Sequence, residues 1–512
     1  LASTLTAQYF AAKASVGFVT KIRHALFSHI QSLSHTELDQ TGISTLITRI
    51  TGDVNQVQTG MNLTLRLLLR SPFVVFGAMV MAFTVDVKAA MVFAVLIPVL
   101  AVVVFAIMLV SIPLYKKVQA HLDNVLGITR ENLTGSRVIR AFCKEDEETA
   151  EFEARNAVLT ASQKLVGRIS ALMNPLTYAI LNIAIVALIW KGAVCVNTGT
   201  LTQGEVVALY NYMSQILVEL IKLANLIINI TKSIACGNRI EQVLEIEPSV
   251  TDGGTAEGKE NAPAVEFKDV SLRYKGAAEN SLSGISFTAA RGETVGIIGG
   301  TGSGKSSLVN LIPRFYDVYG GEVLVNGVNV RDWNISALRK NIAVVPQKAV
   351  LFSGTIRENL LWGNENASDD ELWSAVETSQ SADVVKSKEN GLDSMIEQGG
   401  KNLSGGQRQR LTIARALVKS AEILIMDDSA SALDFATDAK LRAAIQDLGN
   451  RPCTFIVSQR ASSVMHADKI IVLDDGAAVG IGTHEELLRD CAIYAEIYAT
   501  QFKSGKRGAV NG

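Results

Sequence analysis

The stretch "TVGIIGGTGSGKSSLVNLI" holds the densest run of chemistry-bearing residues in this 512-residue sequence. Gly299, Gly300, Thr301, Gly302, Ser303, Gly304, Lys305 and Ser306 fit the spacing G-x-x-x-x-G-K-S, with Ser307 directly behind. An apolar run precedes the loop and a second follows it, which predicts strand, glycine loop and helix in that order. In that setting the glycines let backbone N–H groups curl around phosphate oxygens, and the helix N-terminus adds partial positive charge. Lys305 is placed to reach the β- and γ-phosphates of a nucleotide, and the Ser306 hydroxyl to bind Mg²⁺.

Three further stretches belong to the same chemistry. "VVPQKAVLFSGTIRENL" puts Gln347 in a loop after a predicted strand, where an amide can touch both Mg²⁺ and an attacking water. "LSGGQRQRLTIARAL" predicts a second glycine-bearing helix start, with Ser404, Gly405, Gly406 and Gln407 at its mouth. "EILIMDDSASALD" is an apolar strand ending in Asp427, suited to hold Mg²⁺ through Ser306 or a water, followed by Asp428 and, six residues on, Asp434.

The elements that must position these residues fall in the second half of the chain. The whole is 48% hydrophobic and only 19% charged, too apolar for an ordinary soluble protein, and the excess lies before residue 245. Ala89 to Tyr115 has no charged residue and exceeds the ~20 apolar residues that cross a bilayer. Ile169 to Trp190 is a second such span, Leu67 to Val85 a third broken only by Arg70, and Val206 to Ile230 a weaker fourth containing Glu219 and Lys222. Arg66, Arg70, Lys116, Lys117, Lys164, Arg168, Lys232 and Arg239 flank one side and only Lys88 and Lys191 the other, so the first group is expected in the cytoplasm. Residues 19 to 66 and 116 to 168 read as helical extensions of the spans into the cytoplasm. "GISTLITRITGDVNQVQ" and "ENLTGSRVIRAFCKEDEETAEFEARN" are the pieces expected to touch the soluble half. Asn174, Asn182 and Glu219 are polar groups in the spans that could line a pathway or have a packing or interfacial role.

After "EPSVTDGGTAEGKENAP", a polar Gly- and Pro-containing linker, strand and helix patterns alternate to about residue 500. The expected layout is an all-α transmembrane bundle over 1–245, a linker over 246–262, an α/β P-loop domain over 263–502 and a disordered tail over 503–512. Net charge is −2, which gives no bulk pull toward nucleic acid. The five cysteines and six histidines have no metal-ligand or redox spacing. Leu1 is no initiator, no signal peptide pattern follows it, and the sequence reads as one that starts partway through something.

The ordered set of glycine loop, Gln347, "LSGGQ", "LIMDD" and "SALD" resembles the ATP-binding cassette (ABC) family, in particular exporter half-transporters, and the resemblance runs over the whole chain. It implies a multi-pass protein of the plasma or inner membrane with a cytoplasmic cassette, using ATP and Mg²⁺. Two cassettes would pack head to tail, each ATP lying between one glycine loop and the other cassette's "LSGGQ". Tyr274 would then stack on adenine, or serve only as a strand aromatic, and Asp434 would lie at the cassette interface. Such halves carry six membrane helices, so the four spans and one cytoplasmic tail suggest an N-terminal truncation.

Two positions depart from the family's pattern. Active members have Glu where this chain has Asp428, and His where it has Gln459 in "FIVSQRASS". The resemblance therefore implies a degenerate site on this chain's own glycine loop, beside an intact "LSGGQ" that serves a partner half-transporter in a heterodimer. The cargo would be a small amphipathic drug-like or lipid-like compound. A homodimer with slow hydrolysis at both sites, a non-transporting regulatory subunit and a chromosome-organising or repair ATPase are the alternatives; the spans speak against the last.

Overall fold

A computed structural model describes residues 2–68 and 70–503. The chain separates into two compact units. One holds the helical region up to Ile246, and the other joins Ser32–Gly42 to the chain from Glu247 onward.

The first unit is helical. Among the described residues, four helices are long and apolar enough to cross a membrane: Ile43–Val85, Val87–Thr134, Glu145–Asn197 and Gln203–Leu223. Their ends are set by local chemistry. Asp86 accepts the Ala89 N–H at 2.6 Å and so starts the long helix Val87–Thr134. A capping box between Thr202 and Glu205 starts Gln203–Leu244. Four acidic residues, Glu145 to Glu148, favour the N-terminus of Glu145–Ala171 through the helix dipole. Phe93, Leu188, Leu209 and Met213 are fully buried between the helices, while Phe73, Phe76, Ile183 and Trp190 face outward, as suits a lipid solvent. Asn174 and Asn182 are exposed. Glu219 is buried, accepting from Ser71 Oγ at 2.7 Å and Lys222 Nζ at 2.9 Å, so it ties two helices together.

Residues 19–66 and 116–168 are helical over most of their length, as their pattern suggests. Each stretch is interrupted by a short helix, His35–Thr41 in the first and Ser136–Ala141 in the second. Gly42 closes the first of these at φ +77°, a conformation that costs other residues free energy. Ser32–Gly42 belongs to the second unit, and from Ile43 the chain belongs to the first. The reason is aromatic: His35 lies 4.6 Å from the Phe315 ring and 5.8 Å from Tyr316, whose hydroxyl donates to Asp39 at 2.7 Å.

The second unit contains strands β1 (Val265–Leu272), β2 (Leu282–Ala289), β3 (Thr294–Gly299), β4 (Gly320–Val325), β5 (Val328–Asn329), β6 (Ile342–Val345), β7 (Gly354–Thr355), β8 (Met395–Ile396), β9 (Ile423–Asp427), β10 (Cys453–Val457), β11 (Lys469–Asp474) and β12 (Ala477–Gly482). A four-stranded antiparallel sheet runs β2-β1-β4-β5, and β7 pairs with β8. The six-stranded sheet runs β12-β11-β3-β10-β9-β6, parallel except for β12. Strands covered on both faces read as continuous apolar runs, which explains "ILIM" and "FIV". Phe267 stacks on Phe287 at 4.5 Å, and Phe287 meets Phe455 edge-on, joining the two larger sheets through one core with Trp333 fully buried. A helical lobe built on Asp369–Thr378 and Gly405–Val418 has its own core around Leu372, Val376 and Leu411.

Residues 247–262 belong to this unit. Gly253 N–H donates to Trp333 O at 3.0 Å, Thr255 N–H to Asp332 O at 2.9 Å, and Asn334 N–H to Thr255 O at 2.7 Å. The expected tail beyond Lys503 lies outside the described residues.

Candidate nucleotide site

The parallel sheet delivers the site, because β3, β9 and β10 end side by side. β3 ends at Gly299, the loop turns through Gly300–Gly304, and a short helix begins at Lys305. Gly304 has φ +92°, and a Cβ there would lie 2.7 Å from Leu282 Cδ2 and 2.9 Å from Ser281 O, so the turn needs a residue without a side chain. Lys305 is buried, and its ammonium donates to Gly299 O at 3.0 Å and Gly300 O at 2.5 Å. Burial pulls its pKa below the ordinary lysine range, while Asp428 and Asp427 work against that shift.

Asp427 closes β9 and is 7% exposed. Ser306 Oγ donates to its Oδ1 at 2.9 Å. Burial raises the Asp427 pKa; the Ser306 hydrogen bond opposes this, neighbouring Asp428 adds to it, and Lys305 opposes it. Asp428 begins the next turn with φ +44°, its N–H donating to Val457 O at 3.0 Å. Gln459 follows β10 and is exposed, and its carbonyl accepts from Gln501 Nε2 at 2.8 Å. Gln347 follows β6 and is exposed as well. Tyr274 is half-buried, with its hydroxyl 2.9 Å from Ser307 Oγ and its ring edge-on to Tyr316 at 5.1 Å.

Most of these converge. Tyr274, Thr301, Gly302, Gly304, Lys305, Ser306, Ser307, Gln347, Asp427, Asp428 and Gln459 line one cavity of about 370 Å³. Ser281 and Val457 line it too, without any motif signal in the sequence. Gly299, Gly300 and Ser303 belong to the same loop, and the other candidates are elsewhere. Ser404 caps Gly405–Val418 in a capping box with Gln407, so Gly405 and Gly406 form that helix's first turn. Asp434 caps Phe435–Gln446, its carboxylate accepting from Thr437 N at 2.9 Å and Thr437 Oγ1 at 2.8 Å. Neither set borders the cavity of its own chain.

The groups present suit a magnesium nucleotide. Two hard oxygen donors, Ser306 and Asp427, already lie 2.9 Å apart, as a small divalent cation requires of its ligands. A buried ammonium satisfied only by loop oxygens stands beside them, where a phosphate oxygen would be its natural counter-charge.

Known proteins share both halves of this arrangement. The pattern of the ABC transporter transmembrane region matches residues 1–220, and that of the ABC transporter domain matches residues 282–431. An uncharacterized ABC transporter ATP-binding protein of Bacillus subtilis, YfiB, is 37% identical over 98% of this chain and 87% of its own length. The chain belongs to the ABC transporter family. An ATP-dependent lipid A-core flippase of Desulfotalea psychrophila is 32% identical over 94% of the chain and 84% of its own length. A bacterial Atm1-family ABC exporter, solved with ATP bound, superposes with a TM-score of 0.80 over 96% of this chain and 86% of that one; at 24% identity it shares the fold.

This ABC transporter chain is thus built as a half-transporter, a helical membrane region followed by an α/β ATP-binding domain. It is a multi-pass inner-membrane protein with its ABC domain in the cytoplasm, and such exporters work as dimers that couple ATP hydrolysis to transport.

Proposed function

We propose that this chain is the slow-hydrolysing half of a heterodimeric exporter that moves amphipathic, lipid-like or drug-like compounds. The observation that carries the reading is the residue pair facing the phosphate loop, Asp428 and Gln459, both at the cavity wall beside Lys305 and Gln347. An aspartate carboxylate stops one C–C bond, ~1.5 Å, short of where a glutamate would reach. A misplacement of ~1 Å can cost about 100-fold in rate. Glutamine at 459 keeps a hydrogen-bond donor beside the γ-phosphate and gives up any imidazolium charge.

Binding depends on other groups, and those are intact. Lys305 and the loop amides would hold the phosphates, Tyr274 would lie against the adenine, and Ser306, Asp427 and Gln347 would hold Mg²⁺. The ion, when bound, supplies neutralisation of charge on the transferring phosphoryl group. Ser404–Gln407 and Asp434, outside the chain's own cavity, would complete the partner's site across the dimer. The pull toward lipid-like cargo comes from the lipid A-core flippase among the relatives and from the apolar outer faces of the spans.

The test is mutational asymmetry in the reconstituted transporter. Asp428→Ala is expected to leave most ATP turnover, while removing the partner's catalytic glutamate abolishes it; equal losses contradict the reading.

A further inference from the structure

The second unit contains another cavity, of about 310 Å³, that shares no lining residue with the nucleotide site. It lies between the helix Phe435–Gln446, the segment around Ser463–Ala467, and the edges of β3, β9 and β10 at Thr294, Met426, Thr454 and Ile456. Such a volume is at the lower end of the roughly 300–1,000 Å³ typical of small-molecule sites. Met426, Ile456, Ala443 and Ala467 give it apolar walls, and Arg442 is the fixed charge among them.

Arg442 is poorly satisfied. Its side chain is only 15% exposed, and its one ion pair among the described residues is a 3.3 Å approach of Nε to Asp438 Oδ2. Nε itself is buried and makes no hydrogen bond. Asp438 Oδ2 already accepts from Ser463 Oγ at 3.1 Å, which draws that oxygen toward another donor. A guanidinium carries five N–H donors in a planar fork that matches a carboxylate in bidentate fashion. A half-used fork on an apolar-walled cavity suits an anion with an apolar body better than a strongly hydrated inorganic ion.

We propose that this cavity binds a small amphipathic carboxylate, with its charged end on Arg442 and its apolar body against Met426 and Ile456. The occupant would rest on the helix that Asp434 caps, and so on the element that leads away from Asp428.

The experiment uses the full chain in detergent with a non-hydrolysable ATP analogue held saturating, so that the nucleotide cavity is taken. Benzoate and its neutral analogue benzamide are titrated, with binding read by saturation-transfer NMR. Benzoate is expected to bind saturably and at least roughly tenfold more tightly than benzamide, the preference coming from charge-assisted hydrogen bonds. Arg442→Gln should erase the preference. Ala443→Leu, at an exposed helical position where leucine is well tolerated, should weaken both ligands by filling the space while leaving Arg442 in place. Absent binding, equal affinities for the two probes, or benzoate binding that ignores either substitution overturns the proposal.

Discussion

Replacing Asp428 by glutamate is the sharpest perturbation available at the phosphate site. The backbone at 428 is held from both directions: its N–H donates to Val457 O at 3.0 Å, and its carbonyl accepts from Ser431 N at 3.2 Å and Ser431 Oγ at 2.8 Å. With the main chain fixed, the carboxylate can advance only by a longer side chain, and glutamate supplies the missing ~1.5 Å. If ~1 Å of misplacement costs about 100-fold, Asp428→Glu should return about that factor, ~2.7 kcal/mol of barrier. The φ of +44° suits aspartate better than glutamate, so the variant should also lose a little thermal stability. Single-turnover ATP cleavage by the reconstituted transporter is the assay, with nucleotide affinity measured alongside. A rate unchanged or lowered, with ATP still bound as tightly, would refute the argument that reach limits this site; Asp428→Glu combined with Gln459→His should be faster still.

Three other outcomes follow from the same geometry. Gly304→Ala places a methyl 2.7 Å from Leu282 Cδ2 at φ +92°, where the left-handed conformation alone costs ~1–2 kcal/mol; equilibrium titration should show ATP affinity lowered by about tenfold or more. Ser404→Ala removes the cap of Gly405–Val418, worth ~1 kcal/mol, and should reduce dimer ATP turnover while nucleotide binding to this chain's own loop is retained, as followed by photo-crosslinked ATP. His35 has its pKa lowered from 6.5 by burial, with Arg339 reinforcing the shift and Asp39 opposing it. The unfolded chain therefore binds the proton more readily, so the contribution of His35 to stability is complete above about pH 6.5 and is lost as pH falls through its folded value. Melting curves between about pH 7 and 5.5 should fall more steeply for the native chain than for His35→Phe, which keeps the ring contact with Phe315.

The nucleotide residues were legible because phosphate chemistry demands fixed types at fixed spacing. Glycine is needed where φ is positive at Gly302 and Gly304, an amine is needed at Lys305, and paired oxygens at Ser306 and Asp427. The spans were legible because lipid exposure leaves no room for charge. What stayed hidden depends on contacts between residues far apart in sequence. The docking of His35–Thr41 on Phe315 and Tyr316 joins positions separated by more than two hundred residues, and no local pattern marks either partner. The linker is polar, and only the fold shows its backbone fastened to Asp332, Trp333 and Asn334 and its Asp252 carboxylate accepting from Asn334 Nδ2 and Ile335 N. Arg442 likewise reads as one more surface arginine on a helix, and only the fold shows it lining a cavity with few partners.

The most direct measurement is ATP turnover by this chain purified alone into lipid nanodiscs, with bound and cleaved nucleotide counted per polypeptide. About one ATP should be held per chain and cleaved slowly, with brisk turnover appearing only when a second half-transporter is added. Rapid hydrolysis at two equivalent sites by this chain on its own would contradict this expectation.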